Sequence, residues 1–224
     1  VRLRGNNFEL EPGTPRAPAP TPATLVFFHV SYTRTMAFDD FKHKDAVTVV
    51  YTGDSKGKTS AGLGLMVRGL GNDWKVAFVQ FIKLWDVSEH QFIRSIMPIY
   101  EDKLDFYKGG LGFYEAGEMS ADSTTAEEHK AQARSTYDFA FEAVKSGQYQ
   151  LVICDEINNA VADGLLDVAD LERLIASRHK TTNLCLTGRN FPTKLLERVD
   201  IATEMVKLRH HFDDKFIANK GIDY

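Results

Sequence analysis

The chain has 224 residues, 43% hydrophobic and 26% charged, with a formal charge of -4. That is the composition of one ordinary soluble domain, long enough to bury a sizeable core. A mildly acidic balance with no Lys/Arg block gives no electrostatic case for nucleic acid or a membrane surface, and no apolar run approaches the roughly 18 residues of a membrane span. The run LVFFHV (Leu25 to Val30) is short and has no small-residue cleavage signal behind it. The two cysteines, Cys154 and Cys185, sit in apolar runs and offer neither a disulfide scaffold nor a CxxC metal site. A cytoplasmic, unsecreted protein is expected.

The first segment differs from the rest. EPGTPRAPAPTPAT, Glu11 to Thr24, holds five of the seven prolines, which remove backbone donors and favour extended, solvated chain. Residues 1–45 therefore read as a disordered extension and 46–224 as the folded domain. Two origins are open for the part before Met36: an upstream extension, or translation from an alternative start codon at Val1.

From Ala46 the chain alternates two periods. Ala46 to Tyr51 is a β-rich run, and Lys58 to Leu70 carries Leu63, Met66, Val67 and Leu70 at the i, i+3, i+4, i+7 spacing of a buried helical stripe. A strand follows at Lys75 to Ile82, a helix through Glu89 to Met97 and a short strand at Lys103 to Tyr107. Lys108 to Thr124 is too glycine-rich for a regular element. Thr125 and Glu128 form a capping box for a long helix whose apolar face is Ala133, Tyr137, Ala140, Phe141 and Val144. Strand Leu151 to Asp155, helix Val168 to Ser177 capped by Asp167, strand Thr182 to Leu186, helix Thr193 to Val199 and strand Ile201 to Val206 complete the alternation. Continuously apolar strands between amphipathic helices predict an α/β fold, with a mostly parallel sheet covered on both faces.

Ligands of such sheets collect at the carboxyl ends of the strands, where three segments carry chemistry. In GDSKGKT, Gly53 to Thr59, the spacing is one residue short of a Walker A loop, yet its physics survives. Gly53 and Gly57 let backbone N–H groups turn inward, the next helix presents its N-terminal dipole, and Lys58 adds a mobile cation. Thr59 offers a hydroxyl to a phosphate-bound Mg²⁺. LVICDE ends a strand in Asp155 and Glu156, two carboxylates that can hold Mg²⁺. Alone, an acidic strand end is common; beside a phosphate loop it fits a nucleoside triphosphate site. In LTGRN, Arg189 follows another strand end with a planar fork suited to phosphate oxygens. These segments point to a magnesium-nucleotide protein and leave the reaction open.

The chain from about Val47 to Tyr224 resembles the ATP:corrinoid adenosyltransferases of the CobA/CobO/BtuR type. The resemblance rests on GDSKGKTSAG, Arg68-Gly69-Leu70-Gly71, VQFIK, LVICDEINNAVADGLL, LTGRNFP and the ending HHFDDKFIANKGIDY, in the family's order. It implies a P-loop NTPase-like (RecA-like) fold, ATP as co-substrate with Mg²⁺, and transfer of the 5′-deoxyadenosyl group to the Co(I) of a corrinoid with release of triphosphate. The residues it implies for ATP are Gly53, Asp54, Ser55, Lys56, Gly57, Lys58, Thr59, Arg68, Asn158 and Arg189, with Lys58 and Arg189 facing the charge of the transition state. Thr59, Asp155 and Glu156 would hold the metal, Glu156 not as a base. It also implies a homodimer and a flavoprotein reductant.

The departures from the family pattern are specific. Ser55 stands where the family usually has glycine, and Leu84-Trp85 directly after Lys83 imply a shortened loop. GLGFYE matches the family's GxGFTW segment at Phe113, with Tyr114 next and the tryptophan absent; in that segment the aromatics are associated with the corrinoid's lower face. His210 and His211, being adjacent, face apart if extended and have no metal-ligand spacing. No D-x-H-x-x-G segment is present, so the corrinoid is expected as substrate and not as a prosthetic group. Two other readings stand: a P-loop ATPase or phosphotransferase with Glu156 orienting water, and a non-catalytic nucleotide-binding module.

Overall fold

The computed structural model describes residues 41–112 and 124–224. The expected disorder of the proline-rich segment and the readings of Phe113 and Tyr114 lie outside these residues. In chain order the elements are β1 (Thr48–Thr52), α1 (Lys58–Gly71), β2 (Val76–Gln80), α2 (Ser88–Ile96), β3 (Leu104–Lys108), α3 (Ala126–Ser146), β4 (Leu151–Asp155), α4 (Ile157–Ala162), α5 (Val168–Ala176), β5 (Asn183–Thr187) and β6 (Ile201–Glu204). Two 3₁₀ turns, Thr193–Arg198 and His211–Asp214, flank β6. The strands form one six-stranded sheet in the order β3-β2-β4-β5-β1-β6, and every pairing is parallel.

Strand alternation divides the core into two layers. Ala77, Val79, Val152, Cys154, Leu184 and Leu186 point to one face, where Ala133, Tyr137, Ala140 and Val144 of α3, Ile157 of α4 and Leu171 and Leu174 of α5 close over them. Val76, Phe78, Leu151, Ile153 and Cys185 point to the other face and meet Met66 and Leu70 of α1 and Ile93 of α2. Both faces of the inner strands are thus dry, and this is why β2 and β4 read as unbroken apolar runs. The capping box forms as its sequence requires: Glu128 N–H donates to Thr125 Oγ1 at 3.2 Å, and Thr125 N–H donates to the Glu128 carboxylate at 2.7 Å.

Four details differ from expectation. Val67 is 55% exposed and not part of the α1 stripe, because Gly62 and Gly69 are buried and let the helix lie close against the sheet on that side. The segment after Pro192 winds as a 3₁₀ turn, with Leu195 N–H bonded to the Pro192 carbonyl at 2.9 Å; one buried side chain, Leu195, is too little to hold an α-helix. Helix α4 follows β4 with a single residue between them and was not expected. β6 is an exposed edge strand that ends at Glu204.

Candidate active site at the carboxyl edge of the sheet

The turn from β1 into α1 is built on two glycines in the left-handed region, Gly53 at φ 100° and Gly57 at φ 109°. A Cβ on Gly53 would stand 2.5 Å from the Met205 carbonyl oxygen. That closeness is structural: Met205 N–H donates to the Thr52 carbonyl at 2.8 Å, and its own carbonyl accepts from Ser55 N–H at 3.0 Å, so the chain leaving β6 braces the loop. Inside the loop Lys58 Nζ donates to the carbonyls of Gly53 at 2.7 Å and Ser55 at 2.6 Å. Partial burial, and then the charge of Arg189, hold the Lys58 ammonium below its ordinary pKa. Asp54 and Lys56 are exposed on the loop. Lys56 pairs with Asp223 at 3.0 Å, which ties the GIDY ending to the phosphate loop.

Across the sheet edge, Asp155 closes β4 fully buried and surrounded by donors. Thr187 Oγ1 donates to Oδ1 at 2.6 Å; Gln80 Nε2 and Thr59 Oγ1 donate to Oδ2 at 2.9 and 3.3 Å. The strand order places these groups together, because β4 lies between β2, which supplies Gln80, and β5, which supplies Thr187. Glu156 follows at φ 63° with its N–H donating to Thr187 Oγ1 at 2.9 Å. Its Oε2 is buried without a hydrogen-bond partner, and burial, reinforced by the Asp155 charge, pushes its carboxyl up to about 7. A carboxylate oxygen removed from water and without a donor is one that a cation can bind.

Lys83, just beyond β2, pairs with Glu89 at 2.6 Å. Burial acts most strongly on it and works to lower its pKa, yet the charges of Asp155 and Glu156 leave it raised, so this ammonium belongs to the acidic cluster. Neither Lys83 nor Gln80 was singled out as a site residue from sequence. The available signal was a polar residue ending a fully apolar strand, as Gln80 does in VAFVQ.

The remaining expected residues divide. Arg189 is exposed, with its N–H bonded to Asn159 Oδ1 at 2.8 Å, and its charge acts on both Lys58 and Glu156. Asn158 Nδ2 reaches the Gly188 carbonyl at 3.4 Å, and its Oδ1 is buried without a hydrogen-bond partner. Arg68 lies in the last turn of α1, exposed, and its charge acts on Tyr51 of β1. The rings of His210 and His211 do not face apart but meet edge to face, with centroids 4.8 Å apart, because the chain bends into a 3₁₀ turn at that point.

Among the described residues no three His, Cys, Asp or Glu side chains converge as a metal cage. Thr59 Oγ1, Asp155 Oδ2 and the bare Glu156 Oε2 are an all-oxygen set, and that chemistry fits a hard cation that takes its other ligands from phosphate and water.

A family model described as ATP:corrinoid adenosyltransferase BtuR/CobO/CobP matches residues 44–224. The chain belongs to this family. A corrinoid adenosyltransferase of Sinorhizobium sp. is 31% identical over 179 residues, 79% of each chain. Corrinoid adenosyltransferases of Escherichia coli (strain K12) and Salmonella typhimurium are 28% and 26% identical over 80% of this chain and 85% of theirs. The matched range, residues 44–224, takes in the phosphate loop, the end of β4, the Arg189 turn and the GIDY ending. The parallel six-stranded sheet suits a P-loop NTPase-like fold for the family.

Proposed function

We propose that this protein transfers the 5′-deoxyadenosyl group of ATP to the Co(I) of a corrinoid and releases triphosphate. The observation that carries the reading is the family match over residues 44–224, which includes both the glycine loop with Lys58 and the buried Asp155 beside Thr59. The reaction balances without a protein nucleophile: the cobalt electron pair forms the bond to C5′, and the C5′–O pair departs with triphosphate. The protein's work is then alignment and charge complementarity. Lys58 exchanges its loop carbonyls for phosphate oxygens, and Lys56 and Arg189 flank the departing charge. The backbone N–H groups of Gly53 to Thr59, with Asp54 and Ser55, line the cradle, while Asn158 presents its bare carbonyl oxygen. Thr59, Asp155 and Glu156 would hold Mg²⁺, whose contribution when bound is to neutralise triphosphate charge. Phe113 and Tyr114 are proposed to contact the corrinoid.

Several attributes go with this reading. Cobalt must reach Co(I) before transfer, which requires an electron donor; a flavoprotein is proposed for that role. The exposed edge strand β6 and the segment after it, with Ile201, Val206 and Leu208 exposed, support a homodimer. No helix among the described residues is long and apolar enough to cross a membrane, and a cytoplasmic setting is proposed.

Mass spectrometry of cobalamin incubated with the protein, Mg·ATP and a chemical reductant tests the reading. A corrinoid heavier by one 5′-deoxyadenosyl group is expected; unmodified corrinoid at full Co(I) supply would contradict it. A second reading, ATP hydrolysis, is favoured by one observation: Glu156, with its carboxyl near neutrality and one bare oxygen, has the properties of a base for water. Phosphate release without corrinoid would support that alternative.

A further inference from the structure

Behind Asp155 runs a polar chain that nothing in the family reading uses. Gln80 is fully buried at the end of β2, and its amide spans two groups: Nε2 is 2.9 Å from Asp155 Oδ2, and Oε1 is 2.5 Å from His90 Nε2. His90, in the first turn of α2, is also fully buried, and its ring packs against Phe106 of β3 with centroids 5.5 Å apart. On the outer side Nδ1 lies 3.4 Å from Val87 N–H and 3.3 Å from Asp86 Oδ1, and Asp86 is itself paired with Arg94 and 3.9 Å from Lys108 Nζ.

The hydrogen-bond logic admits one neutral arrangement. An ionised carboxylate only accepts, so Gln80 must turn its NH₂ to Asp155 and its carbonyl to His90. His90 Nε2 must then carry a proton; Nδ1 accepts from Val87 N–H in the neutral ring and donates to Asp86 Oδ1 only in the doubly protonated ring, which keeps the Nε2–H as well. Burial, followed by the Lys108 charge, holds His90 below its ordinary pKa, in keeping with the neutral ring. Were the Gln80 amide to flip, its carbonyl would meet Asp155 oxygen to oxygen, and its NH₂ would face a ring nitrogen that already carries hydrogen.

We propose that His90 is a positioning residue for Asp155: its Nε2–H locks the Gln80 amide in the one orientation that donates to the strand-end carboxylate. The inference rests on the reading of Asp155 as part of a metal and triphosphate site. Its physical content is that Asp155 Oδ2 accepts from both Gln80 and Thr59, so the direction in which that oxygen faces depends on a donor one helix away. Partners that orient a ligating carboxylate through a hydrogen bond typically change metal affinity by about 10- to 100-fold when removed.

Two measurements on the full chain decide it. With ¹⁵N-histidine labelling, the His90 ring must show the Nε2–H tautomer at neutral pH; an Nδ1–H tautomer overturns the inference at once, since Gln80 would then receive no proton. In the second, Mn²⁺ replaces Mg²⁺ and its binding with ATP is titrated by electron paramagnetic resonance. His90→Phe, which fills the space without a donor, should weaken Mn²⁺ uptake by roughly 10-fold, the low end of the range for a direct partner of a ligand because His90 acts through Gln80, while ATP binding without metal stays unchanged. His90→Gln, which restores an N–H donor, should recover most of the loss. Wild-type uptake in His90→Phe, or equal losses in both variants, would leave His90 a packing residue only. If the wild-type chain takes up no Mn²⁺ with ATP, the metal site and the inference fall together; if it does and the His90 variants are indifferent, only the inference falls.

Discussion

At the scale of single residues, the site is defined by groups whose partners are provisional. Lys58 satisfies its ammonium on two carbonyls of its own loop, a contact that a triphosphate can outbid with charge. Lys58→Ala should therefore weaken ATP binding by roughly 10- to 100-fold, matching the 1.5–3 kcal/mol of a charged hydrogen bond, and leave thermal unfolding unchanged. Calorimetric titration with ATP checks this, and wild-type affinity in the variant would remove the lysine from the cradle. Glu156 makes a different prediction. Its folded pKa is raised from 4.5 to about 7 by burial and by Asp155, so the folded state binds the proton more tightly. The stabilisation from that proton is complete below 4.5 and is lost as pH rises through about 7. In chelator, Glu156→Gln should thus gain on the wild type between pH 5 and pH 8 by at least about 2–4 °C in Tm, the shift that 1 kcal/mol produces in a domain this size. A constant difference across that range would show that Glu156 titrates as an ordinary carboxyl.

At the scale of elements, α3 and α5 are joined over the sheet by one carboxylate. Asp170 accepts both guanidinium nitrogens of Arg134, at 2.9 and 2.7 Å, and also Asp167 N–H at 3.0 Å. Arg134 first among its partners holds Asp170 below the usual carboxylate range, so this contribution is present above 3.8 and is lost as pH falls through the lowered folded value. Asp170→Ala should cost about 1–3 kcal/mol, because a part-buried N–H and a half-exposed guanidinium lose their charged acceptor. Urea unfolding at pH 7 measures it, and a variant as stable as the wild type would show that the two helices are held by Tyr137 and Leu171 packing alone. The same scale shows what sequence made legible. β2, β4 and β5 were readable because burial on both faces leaves an unbroken apolar run, and α3 because Thr125 and Glu128 mark its start. α4 was not readable: it is six residues long, and two of its polar side chains, Asn158 and Asn159, turn toward the Gly188-Arg189 turn and not to solvent. β6 was legible as a strand from Ile201, but its end was not: all four of its residues are exposed, so no burial pattern marks the stop at Glu204 rather than Val206.

At the scale of the whole molecule, the site is a product of strand order. The loop after β1, the ends of β2 and β4 and the turn after β5 meet because the four strands are neighbours in the sheet, although their residues span Gly53 to Arg189 in sequence. Lys58, Thr59, Asp155 and Arg189 could be placed from sequence because each follows a recognisable strand or loop signature. Gln80, Lys83 and His90 could not, because their roles depend on which strands are adjacent, and spacing along the chain does not encode that. Fold and cradle together leave adenosyl transfer and hydrolysis to be separated by where ATP is cut. The ³¹P spectrum of a reaction containing the full chain, Mg·ATP and reduced cobalamin reads that bond directly: cleavage at C5′ yields triphosphate in step with corrinoid consumed, which is the result expected here, whereas ADP and inorganic phosphate appearing whether or not corrinoid is present would contradict it.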